Sequence, residues 1–213
     1  MTRHTDQAAE ALSRGAEPGR GYALARIISQ LLHPITLAMV NLLIVGLLGV
    51  ESPREGLLWT LLGAGLQIIP PLIFFTMRLR QGAYSDDDVS VRSQRNELYI
   101  FGMINLIAGL FVLRLLGAPL PFQALVASAV LTSVIAWLIN LFWKISVHAS
   151  SIGSVATVAA LYSEPLGLLL WLCAVILGWA RVRTRNHTPM QVVAGLALAA
   201  SCVLLTFVTM GLP

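Results

Sequence analysis

The feature that most constrains this chain is the length of its uncharged apolar runs. Leu57–Met77, Phe122–Trp143 and Pro189–Met210 each lack any Asp, Glu, Lys or Arg. A helix needs about 20 consecutive apolar residues to cross a hydrocarbon core. Only 14 basic and 10 acidic residues occur among 213, so 11% of the chain is charged while 57% is apolar. Soluble domains carry roughly a quarter charged residues, and a chain this short cannot hide so much apolar surface from water. Mean hydropathy is +0.79. A soluble enzyme, a disordered chain and a disulfide-rich secreted module are excluded. The expected fold is all-α, a polytopic transmembrane helical bundle of six to seven spans.

The seven candidate spans are Ile27–Val50, Leu57–Met77, Leu98–Leu116, Phe122–Trp143, Ile145–Tyr162, Leu166–Ala180 and Pro189–Met210. The fifth and sixth are short for a crossing. Residues 1–25 read as a loose polar tail, and 26–213 as one transmembrane domain. The first run is too long for a signal-peptide core and lacks a cleavage site, so it is expected to stay. Cys173 and Cys202 lie inside apolar runs and read as small hydrophobes. His33-Pro34 reads as a kink.

With seven spans, twelve of the fourteen basic residues fall on the side of the N-terminus, leaving Arg54 and Arg114 opposite. This positive-inside bias places the N-terminus in the cytoplasm. The expected setting is a prokaryotic plasma (inner) membrane. Loop arginines of this kind meet lipid headgroups, and nucleic acid is not an expected partner. Nothing in the sequence indicates the oligomeric state.

Polarity concentrates in three islands, Ser85–Arg95, Lys144–Gly153 and Arg181–Gln191. Two spans separate each from the next, so helical hairpins return all three to one membrane face. Ionisable groups at span ends are functional candidates. In the third island Thr188-Pro189-Met190-Gln191 has the form of a capping box, with Thr188 at the N-cap, which sets His187 just before a helix N-terminus. Such an end favours anions. If residues 181–187 run extended, Arg181, Arg183, Arg185 and His187 share a face. Ser85 or Asp86 is expected to cap a helix on which Arg92 and Arg95, three apart, share a face. Arg92 has a second possible partner in Asp88. The Asp86–Asp88 run itself reads as a solvated cap.

The order of these islands resembles the type 2 phosphatidic acid phosphatase superfamily of membrane lipid phosphatases. That signature has a Lys followed by six residues and Arg-Pro, then Pro-Ser-Gly-His, then Ser-Arg, five residues, His, three residues and Asp. Here the third part reads Ala180-Arg181, five residues, His187, three residues, Gln191, and the second reads Ile145-Ser146-Val147-His148. The first is represented by Arg92 and Arg95, with Asp88 at the Lys position and Asn96 at the Pro position. The resemblance covers roughly residues 78–200, on the scale of about one domain. It implies that His187 is the nucleophile and His148 the general acid. Arg181, Arg95, Arg92 and the Ser146 hydroxyl would bind the phosphoryl group. No metal and no cofactor is implied. Gln191 stands where the family has Asp. It can orient the nucleophile through its amide oxygen but brings no charge, so slow catalysis, a changed nucleophile environment or a phosphate-binding relic is expected.

The implied substrate is a lipid phosphate or pyrophosphate, from phosphatidate to polyprenyl diphosphate. Metal-dependent prenyl or CDP-alcohol transfer would need several separated Asp clusters, and this chain has one, Asp86–Asp88. The remaining alternative is a weak or inactive relative that binds or transports an anionic lipid.

Overall fold

The computed structural model describes residues 20–213. Nine α-helices and one 3-10 turn account for the regular structure, and no strand occurs among the described residues. Of the expected tail, residues 1–19 lie outside the described part. Arg20 already opens α1 (Arg20–Leu31), so residues 20–25 are helical.

Pro34 breaks the first apolar run. It has no N–H to donate, its ring clashes with the preceding turn, and it drives the residue before it out of the helical region. His33 is accordingly extended, at φ −67 and ψ 146, and α2 (Pro34–Leu48) leaves α1 at 44°. Ser52 caps α3 (Pro53–Gln67) by accepting from the Glu55 N–H. Pro70 and Pro71 cannot continue that helix's hydrogen bonding, so the chain re-forms after Ile68 as α4 (Ile69–Arg80). A 3-10 turn, Arg92–Gln94, leads into α5 (Arg95–Leu115). Then follow α6 (Leu120–Asn140), α7 (Val147–Tyr162), α8 (Glu164–Arg183) and α9 (Pro189–Thr209).

Among the described residues five helical stretches are long and apolar enough to cross a membrane, and six if the bent α1–α2 pair is one span. The expected fifth span is the exception. α7 has 16 residues, about 24 Å at 1.5 Å per residue, against a core of roughly 30 Å. It sits among α2, α8 and α9. Ile152, Val155, Ala156, Val158 and Ala159 on it are all buried. A helix packed mostly against other helices has less need to match the lipid thickness.

Small residues set how closely α9 approaches α7. A Cβ at Gly153 would stand 3.0 Å from the Leu196 carbonyl oxygen, and one at Gly195 would stand 2.8 Å from that of Ser146. Close backbone approach through glycine is a common device in membrane bundles. Here it lays the first turn of α9 beside the first turn of α7, where the Ser146 N–H donates to the Gln191 carbonyl at 3.4 Å. The second and third polar islands are thereby joined. Cys173 and Cys202 are unpaired, the latter buried in α9.

Candidate functional site

α8 ends by a local mechanism that places two candidate residues together. Thr184 closes the helix, and Arg185 takes a left-handed backbone at φ 59. This is the usual way to turn a chain out of a helix. The turn folds His187 back, so that its N–H donates to the Arg181 carbonyl at 3.2 Å. The helix also runs through Arg183, so the extended segment expected for 181–187 does not form. Successive residues in a helix rotate by about 100°, which puts positions two apart on opposite sides. Arg181 therefore points inward at 1% exposure, while Arg183 and Arg185 are solvent-exposed.

The capping box at α9 forms in full, with Thr188 accepting from the Gln191 N–H and Gln191 returning to the Thr188 N–H. It also decides the tautomer of His187. The Thr188 N–H can only donate, so the Gln191 atom it meets at 3.2 Å is the amide oxygen. That same Oε1 lies 3.1 Å from His187 Nδ1. An oxygen acceptor there requires Nδ1 to carry the proton, which leaves the Nε2 lone pair free. Burial, with Arg95, Lys144 and Arg181 nearby, pushes His187 down to about 3, and the Gln191 contact opposes this only in part. His187 is thus a neutral imidazole throughout the physiological range.

The first island takes a different form from the expected capped helix. Asp86 organises a tight loop, its Oδ1 accepting from the Asp88 N–H at 2.9 Å and the Ser90 N–H at 3.1 Å. Although burial works against it, hydrogen bonds from Ser85, Ser90 and Asp88 hold the Asp86 carboxyl below its usual range. The loop passes through Val89 at φ 45, a costly region for a β-branched residue. The strain is offset by Arg95, whose Nε donates to the Val89 carbonyl at 2.8 Å and whose Nη1 donates to that of Ile145 at 3.1 Å. Arg95 so ties the first island to the second.

The same loop presents Asp88 to the third island. Asp88 Oδ1 is 3.0 Å from Arg181 Nη1, and Asn186 Nδ2 donates to Asp88 Oδ2 at 2.7 Å. Lys144 Nζ in turn donates to the Asn186 carbonyl at 2.8 Å. Asp88 is therefore a salt-bridge partner rather than a solvated cap, and it pairs with Arg181 rather than Arg92. Arg181 is still incompletely satisfied. Its Nη1 is close to the carboxylate but not aligned with it, and Nε and Nη1 make no hydrogen bond among the described residues.

Arg95, His148, Arg181 and His187 line one cavity of about 310 Å³, whose apolar wall includes Leu72, Phe75 and Leu98. His148 and Arg181 also line a more polar cavity of about 270 Å³ bounded by Asp86, Asp87, Asp88 and Asn186. Two expected phosphate ligands are not among the lining residues. Arg92 reaches across to α6, where its Nη1 donates to the Asn140 carbonyl at 2.6 Å and to that of Leu141. Unfilled carbonyls at a helix C-terminus attract a cation. Ser146 is fully buried as the N-cap of α7, its hydroxyl accepting from the Ala149 N–H at 3.3 Å.

Sequence spacing does not point to Asp88, Asn186, Lys144 or His33 as site residues. The last shares both cavities with His148 and meets it edge to face, ring centroids 5.5 Å apart. No group of three or more His, Cys, Asp or Glu side chains is placed to hold a metal ion among the described residues.

Burial, with Arg95 and Arg181 nearby, lowers Lys144 to about 8. Its charge is present below that pH and lost above it. Binding of an anion in the adjoining cavity is therefore expected to weaken as pH rises through 8, whereas in Lys144→Arg, charged throughout, it is expected to hold to pH 9.5. Titrating binding of inorganic phosphate between pH 7 and 9.5 checks this; identical profiles for the two proteins would remove Lys144 from the site's electrostatics.

Fold and site together describe an all-helical protein with helices of membrane-spanning length and a cavity lined by two arginines and three imidazoles. No family model, curated protein or solved structure matches the chain significantly.

Proposed function

We propose that this protein is a membrane-embedded lipid phosphate phosphatase acting through a histidine nucleophile. The observation that carries the reading is the cavity lined by Arg95, His148, Arg181 and His187 beside an apolar wall. A phosphoryl group needs fixed cationic donors for the charge that develops on its oxygens, and its lipid portion needs an apolar surface.

In this scheme Nε2 of His187 attacks the terminal phosphorus, and the bond from that phosphorus to its leaving oxygen breaks, the lipid oxygen in a monophosphate and the bridging oxygen in a pyrophosphate. His148 gives that oxygen a proton, releasing the lipid alcohol, or a lipid monophosphate from a pyrophosphate. The arriving phosphoryl anion favours the protonated form of His148. Water then attacks the phosphorus, giving a proton to His148 as the phosphorus–nitrogen bond breaks, which releases orthophosphate and restores both His187 and the proton on His148. Arg181 and Arg95 hold the phosphoryl oxygens. Gln191 keeps the proton on Nδ1, but a neutral partner stabilises the developing imidazolium less than a carboxylate does. Turnover is accordingly slow. Substrates are phosphatidate-like or polyprenyl phosphates.

A second reading is favoured by the missing charge at Gln191 and by Asp88 lying against Arg181. In it the protein binds or carries an anionic lipid without hydrolysing it. Purified protein in detergent with EDTA separates the two. Phosphate release from dioctanoyl phosphatidate or a short prenyl phosphate supports the enzyme, and binding without release supports the carrier.

The positive-inside bias supports a site on the cytoplasmic side of a prokaryotic inner membrane. A cysteine replacing exposed Arg183 should then react with an impermeant maleimide only after cell lysis, and labelling of intact cells reverses the orientation.

A further inference from the structure

We propose that His33, at the break between α1 and α2, is a third imidazole of the phosphate site and donates a hydrogen bond to a phosphoryl oxygen through Nε2. The inference rests on the phosphate-binding reading above and adds a residue from outside the three polar islands.

His33 is the N-cap of α2, and its Nδ1 accepts from the Ile35 N–H at 3.3 Å. A backbone N–H can only donate, so Nδ1 holds a lone pair and the ring proton is on Nε2. Protonating Nδ1 would cost the cap, so this tautomer is set by the helix itself. The ring lines both cavities together with Asp88, His148 and Arg181. The break also leaves the positive end of a 15-residue helix beside these cavities. Interrupted membrane helices commonly direct such ends at anions. A helix end alone does not make a site. The independent observation is Arg181, 1% exposed, which lines both cavities with Nε unpartnered among the described residues. Cation, helix end and a fixed N–H donor thus surround the same space, and phosphoryl oxygens are acceptors that suit all three.

Two substitutions separate this role from capping. Asn is a good N-cap, so His33→Asn keeps an acceptor for the Ile35 N–H and removes the distal donor. His33→Gln places an amide N–H near the position of Nε2. Binding is measured on detergent-solubilised protein with inorganic phosphate and, separately, with dioctanoyl phosphatidate, alongside the melting temperature. His33→Asn is expected to melt like the wild type yet bind about tenfold more weakly, as for loss of one charge-assisted hydrogen bond. His33→Gln is expected to recover much of that loss. Weakening with both probes assigns the donor to the phosphoryl group itself, and weakening with phosphatidate alone assigns it to the lipid-bound phosphate. If His33→Asn binds both probes like the wild type while Arg181→Ala loses them, His33 is a cap only and this inference falls while the phosphatase reading stands. If the wild type binds neither probe, both fall.

Discussion

Replacing His187 with alanine is expected to reduce phosphate release by about six orders of magnitude, the scale seen when a covalent nucleophile is deleted. The binding of phosphatidate should change by no more than a few-fold. The asymmetry follows from where the residue sits. His187 is 6% exposed and uncharged, so removing it takes no cation from the phosphoryl oxygens. What is lost is the Nε2 lone pair that the Gln191 contact keeps available. The wild type should also retain an acid-labile, alkali-stable phosphoryl label after quenching, and His187→Ala should not. A variant that releases phosphate at the wild-type rate would move the nucleophile elsewhere.

Arg181→Ala should be the most damaging single change to both stability and binding. Removing one partner from a buried ion pair typically costs several kcal/mol, because the other charge is left behind. Asp88 retains 30% exposure and can recover some hydration. About 3 kcal/mol is therefore a fair expectation, or roughly 8 °C in melting temperature for a chain of this size. Asp88→Asn should act differently. It keeps an acceptor for Asn186 Nδ2 through its own amide oxygen and removes the carboxylate that occupies Arg181. That variant is expected to bind inorganic phosphate more tightly than the wild type, while Arg181→Ala binds it at least tenfold more weakly. Thermal melts and phosphate titrations on the pair test the assignment. Unchanged melting and unchanged affinity for Arg181→Ala would show that the guanidinium holds neither the loop nor the ligand.

The parts of the site that could be read along the chain are those governed by neighbours. The capping box from Thr188 to Gln191 spans four residues, and it forms as its residue types require. The break at Pro34 follows from a missing N–H. Arg181 and His187 are six apart and meet through one helix C-cap. Other contacts depended on choices among distant partners. Arg92 and Arg95 start the same helical segment, but their side chains are long enough to reach different carbonyls, on α6 for Arg92 and at Val89 and Ile145 for Arg95. The left-handed backbone at Val89 is not suggested by a β-branched residue. It exists because the Asp86 hydrogen bonds and Arg95 hold both sides of it.

Sequence alone determined the apolar helices of membrane-spanning length and the end of the bundle where the polar islands gather. Apolar run length and hairpin connectivity are one-dimensional properties, and the cost of exposing backbone or charge to hydrocarbon leaves few alternatives. Tertiary structure alone decided which charges face one another. It seats Asp88 against Arg181, 93 residues away, and brings the His33 ring to His148. A buried guanidinium takes its counter-charge from whatever the packing of helices delivers to it, and the spacing of small residues such as Gly153 and Gly195 sets that packing. The carboxylate that packing delivers here lies on Arg181, and the His187 imidazole keeps a neutral partner in Gln191.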